Sequence, residues 1–126
     1  MKRVVFVCVE NSCRSQMAQA FAIMEGCVDA YSAGSKPSGI VNPKAIATMA
    51  ELGYDLNAHD SKSLQNLPDE PFAAAITMGC GDNCPMVDAR LREDWGIPDP
   101  KHMDPEEFAG IRDQIGDRVK DLLARI

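Results

Sequence analysis

The stretch Phe72 to Met78, FAAAITM, is apolar at nearly every position. Side chains along a strand point alternately to two faces, so such a run suits a strand covered on both. Lys2 to Val9 contains a second run of this kind, rich in β-branched residues, and Val28 to Ser32 reads as a third strand, ended by Ala33-Gly34. Helical patterns separate them. Arg14 to Glu25 carries Met17, Phe21 and Met24 three or four apart, with Gly26 placed to stop the helix. Asn42-Pro43 is a cap followed by proline at the first helical position; Ile46, Met49 and Ala50 then share one side, and Gly53 ends the element. Trp95 to Pro100 reads as irregular. Asp104-Pro105-Glu106-Glu107 combines a cap, a proline and early acids, and Phe108, Ile111, Ile115, Val119, Leu122 and Ile126 make a stripe to the end.

Strands alternating with helices predict an α/β fold, a parallel sheet with helices on both faces. The 126 residues suit one domain, 1–126, large enough to bury a core. In such sheets ligands bind at the carboxyl ends of the strands. The loop after Val7 lies at one such end, and the loop after Met78 at another.

Composition narrows the function classes. The formal net charge of -6 argues against a nucleic-acid-binding surface. It does not exclude a small anionic substrate, because a local positive site can outweigh a weak overall field. No segment approaches the roughly 20 apolar residues of a membrane span. The start resembles a signal peptide only faintly, since Cys8, Glu10 and Asn11 interrupt the apolar run and no small-residue cleavage site follows. A cytoplasmic protein is expected. There thiols stay reduced, so the five cysteines read as chemistry, metal or core rather than a disulfide framework.

The loop CVENSCRS, residues 8 to 15, places a thiol at a strand end and an arginine at a helix start. The C-x5-R spacing is common by chance; its context makes it informative. Successive N–H groups in such a loop can form an anion nest, and a helix N-terminus adds orphan donors and partial positive charge. Arg14 offers a planar fork for two oxygens of a tetrahedral oxyanion. The same field favours the thiolate form of Cys8. The expected oxyanion-binding set is Val9, Glu10, Asn11, Ser12, Cys13, Arg14 and Ser15, with Ser15 donating to the Cys8 sulfur and Asn11 holding the loop's shape. The side chain of Cys13 reads as packing on the first helical turn, and Cys27 as core.

Four stretches, VCVENSCRSQMAQAFA (7 to 22), YSAG (31 to 34), NPKAIATMAELGYDL (42 to 56) and DWGIPDP (94 to 100), resemble the arsenate reductases built on the low-molecular-weight protein tyrosine phosphatase fold. The resemblance covers nearly the whole chain and implies one three-layer domain with a four-stranded parallel sheet. Phosphatases of this fold usually have proline after CRS, where this chain has Gln16, and a tyrosine pair where it has Lys101 and His102. By position, Cys8 matches the nucleophile, Arg14 the oxyanion clamp and Asp99 the acid. Cys80 and Cys84 match two later cysteines, although they are spaced C-x3-C, closer than family members usually have them.

What the resemblance implies is a relay. Cys8 attacks the arsenic of arsenate and an oxygen leaves as water, with Asp99 the candidate acid. Cys80 then attacks the Cys8 sulfur, the S–As bonding pair stays on arsenic, and arsenite departs. Cys84 attacks the new disulfide, leaving Cys80–Cys84 for thioredoxin or a related redoxin to reduce. The order of Cys80 and Cys84 and the identity of the donor are open at this point. No metal or other cofactor is implied, C-x3-C being a poor zinc pattern without further ligands nearby; the family favours a monomer. Two alternatives need only the opening loop: a phosphatase acting on phosphomonoesters, and a phosphocarrier module. Finally, some family members bind potassium beside the loop through Asn, Ser, Glu and Asp. Asn11 and Ser32 match, while Gln19 and Lys62 stand where the acids would be. The Lys62 ammonium is expected to fill the cation's place near Asn11, a solvated surface lysine being the alternative.

Overall fold

Strand β1 (Arg3–Cys8) runs through the middle of the sheet because Val4 to Val7 leave both of its faces apolar. In the computed structural model, which describes residues 1–79 and 87–126, the chain continues through α1 (Arg14–Glu25), β2 (Asp29–Gly34), α2 (Pro43–Ala50), two single 3-10 turns (Leu56–Ala58 and Leu64–Asn66), β3 (Phe72–Thr77), β4 (Ala89–Asp94) and α3 (Pro105–Arg125). The four strands are parallel in the order β2-β1-β3-β4. The expected four-stranded parallel sheet is therefore present, and both faces are covered.

The helix ends follow the chemistry expected of them. Asn42 caps α2 by accepting from the Lys44 N–H, and Asp104 caps α3 by accepting from the Glu107 N–H, each at 2.8 Å. Gly26 closes α1 in the left-handed region at φ 74°. β4 falls where no strand was expected. Its sequence ARLRED alternates buried or half-buried with exposed positions, as an edge strand does.

The two faces are covered unequally. On one, Val4, Phe6, Ala74 and Ile76 meet Met17 of α1, Met49 of α2 and Phe108 and Ile115 of α3. Gly116 lets α1 and α3 approach: a Cβ there would lie 2.9 Å from the Phe21 ring. On the other face, Val5, Val7, Phe72 and Ala75 pack against Tyr31, Leu64, Leu67 and Val87, so the described cover is a 3-10 turn and its flanking chain. Cys27 belongs to neither core; it is exposed, because it follows the Gly26 turn at the surface. Among the described residues no helix is long and apolar enough to cross a membrane.

The chain leaves β1 toward β2 on one side, and β3 lies on the other. This arrangement opens a crevice at the carboxyl end of β1, where Cys8 pairs with Gly34 and Val7 with Thr77.

Candidate active site

The loop from Cys8 to Arg14 sits in that crevice, and the bonds of its carbonyls give it its shape. Val9 O accepts from the Lys36 N–H at 2.8 Å, and Ser12 O from the Asn42 N–H at 3.0 Å. Glu10 O accepts from the Ser38 N–H and from the Ser61 hydroxyl, both at 3.0 Å, and Asn11 O from Gln16 Nε2 at 3.0 Å. A trans peptide points its C=O and the following N–H in opposite directions. Carbonyls held outward therefore turn the N–H groups of Glu10, Asn11, Ser12 and Cys13 toward the loop's interior, as an anion nest requires. The turn needs a left-handed residue, and Asn11 supplies it at φ 50°, the one positive value at a non-glycine among the described residues. β2 must also come close. A Cβ at Gly34 would lie 2.6 Å from Val9 O and 3.0 Å from Asn11 N, both main-chain atoms, so the strand needs glycine there.

At the start of α1 the capping position is Cys13, which makes no side-chain cap bond, and the first turn holds no acid. Both features leave the helix N-terminus attractive to an external anion. Arg14 is half-buried and anchored from behind: its Nη1 donates to Met78 O at 2.6 Å and Ile97 O at 2.8 Å. Its Nη2 lies 4.0 Å from Asp99 Oδ2. The guanidinium is thus fixed across the ends of two chain segments, and among the described residues its Nε and Nη2 make no hydrogen bond.

Cys8, Val9, Glu10, Ser12, Cys13, Arg14 and Asp99 line a cavity of about 210 Å³. A larger cleft of about 890 Å³ lies at the opposite end of the sheet, around Lys2, Phe72 and Arg125, away from every loop residue. Cys8 is buried at the cavity's base, and its sulfur lies 2.8 Å from the Ser15 hydroxyl. Cys13 shares the lining. Burial, opposed by the Ser12 hydrogen bond, pushes its thiol up to about 11. At the mouth, Lys101 Nζ pairs with Glu10 Oε1 at 3.1 Å, and the Lys101 N–H donates to Asp99 Oδ1 at 3.1 Å.

Cys8, Arg14 and Asp99 thus meet in one cavity, with Ser15 and Asn11 behind it. Cys80 and Cys84 lie outside the described residues. Lys62 approaches Asn11 through its main chain: its N–H donates to Asn11 Oδ1 at 2.8 Å, while its ammonium donates to Asp60 O at 3.1 Å. Partial burial lowers the proton affinity of that ammonium. Ser32 and Gln19 bond to each other, Oγ to Oε1 at 2.6 Å.

Sequence reasoning missed a set of residues behind the loop. Gln16 is fully buried, and its Nε2 donates to Asn11 O, Asn11 Oδ1 and Asp60 O at 2.9 to 3.0 Å. Its Oε1 faces His59 Nδ1 at 2.9 Å, and His59 Nε2 faces Tyr54 Oη at 2.6 Å. The only available signal was Gln16 standing where related phosphatases have proline.

Comparison with known proteins places this geometry. Residues 3–126 match the family model of low molecular weight phosphotyrosine protein phosphatases. A relative from Synechocystis sp., named glutaredoxin arsenate reductase, is 40% identical, with all of this chain and 99% of the relative covered. An arsenate reductase of Staphylococcus aureus is 37% identical over 98% of both chains. The solved structure of an arsenate reductase in the phosphate binding state superposes with a TM-score of 0.89 at 40% identity, covering all of this chain and 99% of that one.

Proposed function

From the premise that the chain belongs to the low molecular weight phosphotyrosine protein phosphatase family, among its arsenate reductases, we propose that it reduces arsenate to arsenite with Cys8 as the nucleophile. The observation that carries the proposal is the cavity of about 210 Å³ where the Cys8 sulfur, the anchored Arg14 guanidinium and Asp99 converge. It has room for a small tetrahedral oxyanion, and the inward N–H groups and Arg14 supply its donors.

The Cys8 thiolate attacks arsenic(V), and an arsenate oxygen leaves as water after protonation, for which Asp99 is placed at the cavity's edge. Cys80 attacks the Cys8 sulfur, forming a disulfide; the S–As pair remains on arsenic, which departs as arsenite. Cys84 attacks Cys80 and releases Cys8. Two thiols have then become one disulfide, which matches the two electrons arsenic gained. A redoxin restores the pair. Both thioredoxin and glutaredoxin fit this chemistry, and the name of the Synechocystis relative makes glutaredoxin the first rival to test.

A second reading is hydrolysis of phosphomonoesters, favoured by the matched family itself and requiring only Cys8, Arg14 and Asp99. The deciding experiment is arsenite production by wild type, Cys80→Ser and Cys84→Ser, with thioredoxin, thioredoxin reductase and NADPH and, in parallel, with glutaredoxin, glutathione, glutathione reductase and NADPH. Loss of turnover in both variants supports the relay. Normal turnover in both refutes it, and activity surviving only in Cys84→Ser assigns the final exchange to a small-molecule thiol.

A further inference from the structure

The contact between Ser15 Oγ and Cys8 Sγ does not by itself say which atom carries the proton. The bonds behind it do. Gln16 Nε2 faces three oxygen acceptors, so the amide nitrogen must be there and Oε1 must face His59. Oε1 can only accept, so His59 carries its proton on Nδ1. A neutral ring then has a bare Nε2, which accepts from the Tyr54 phenol at 2.6 Å. Asn11 Oδ1 accepts from Gln16 Nε2 and from the Lys62 N–H, which turns Asn11 Nδ2 toward Ser15 Oγ at 2.8 Å. Ser15 accepts that bond and directs its own proton to the Cys8 sulfur.

We propose that Tyr54 and His59 are positioning residues for the nucleophile: they fix a one-way chain of hydrogen bonds through Gln16, Asn11 and Ser15 that ends with a hydroxyl proton on the Cys8 sulfur. Every donor in the chain points the same way, and each polarises the next. The end of the chain is therefore matched to a thiolate, which accepts but cannot donate. Gln16, held by the three acceptors of its Nε2, sets the ring tautomer, and Tyr54 keeps the ring in it by donating to the bare Nε2.

The surroundings keep the two outer members in the required states. Burial holds His59 below its ordinary value, with Lys62 adding to that effect and Asp60 and Asp55 opposing it. Burial, aided by Asp55, holds the Tyr54 phenol above its ordinary value. The Tyr54 and His59 rings also pack edge-on, with centroids 5.4 Å apart.

The inference rests on Cys8 being the nucleophile, and its test does not require arsenate. Reduced wild-type protein, His59→Ala, His59→Asn and Tyr54→Phe are alkylated with iodoacetamide across pH, and the rate at Cys8 is read by peptide mass. Asparagine can place an N–H where Nδ1–H stood. His59→Ala is expected to lower the Cys8 alkylation rate about five- to tenfold at neutral pH. Tyr54→Phe gives about a two- to threefold loss, and His59→Asn stays within about twofold of wild type. With arsenate, kcat is expected to follow the same order while KM changes less. Equal behaviour of His59→Ala and His59→Asn, shifted or not, overturns the proposal, as does a change confined to KM. If His59→Ala does not fold, Tyr54→Phe against His59→Asn decides: slower alkylation of Tyr54→Phe supports the chain, and equal rates overturn it. Failure of the reductase reading would show separately, as wild-type protein that makes no arsenite whatever its alkylation pattern.

Discussion

The two sides of the anion loop are built differently. On the inner side Asn11, Ser15 and Gln16 are fully buried and bonded to one another and to the chain around Asp60. On the outer side the Glu10–Lys101 pair spans the mouth with some two-fifths of each side chain exposed, and Asp99 is half exposed. Buried polar groups are expensive to leave unpaired, whereas exposed ion pairs contribute little and are screened by salt. The inner side therefore fixes the geometry of the loop. The outer side governs approach and can change without unfolding it.

Substitutions on the two sides test this contrast. The largest loss is expected from Asn11→Ala. It leaves the half-buried Lys62 N–H without its acceptor, removes the donor to Ser15 and puts alanine at a positive φ. Together these cost about 3 kcal/mol or more, measurable by urea denaturation, and turnover should fall with stability. A loss below about 1 kcal/mol would mean the inner network is not what holds the loop.

At the mouth, Lys101→Met should leave thermal stability unchanged. It should lower kcat/KM for arsenate by about two- to fivefold at low salt, an effect that fades toward 0.5 M NaCl. A salt-independent loss would move Lys101 from the approach to the chemistry. The smallest effect concerns cations. With Lys62 beside Asn11, rates in potassium and sodium at fixed ionic strength should agree within experimental scatter. A clear rise with potassium would remove Lys62 from its proposed role.

The same division explains what could be read from the sequence. β1, β3, α1 and α3 announce themselves through apolar runs, stripes and caps, and their observed ends lie within two residues of those expected. β4 did not, because an edge strand reading ARLRED carries charges on its exposed face and offers no apolar run. Cys27 was expected in the core, but a residue next to a helix-ending glycine can equally stand at the surface. Cys8 and Arg14 were legible because strand–loop–helix order places them locally. Gln16, His59 and Tyr54 were not: their bonds join positions 16 and 59 across the fold, and nothing in a glutamine or histidine announces a distant partner. Gly34 was read as a strand end, while its closer constraint is the room it leaves for the loop.

Cys13 has a consequence for the proposed electron flow. Burial holds its thiol at about 11, so the protonated form dominates at neutral pH. Disulfide exchange runs through the thiolate, so burial makes the sulfur sharing the cavity with Cys8 a slower attacker than an exposed thiol. An oxidised or arsenic-bearing Cys8 therefore faces a neighbour poorly disposed to attack it. In the proposed relay the electrons come from outside the loop, and the loop's second thiol acts as insulation rather than as a competing wire.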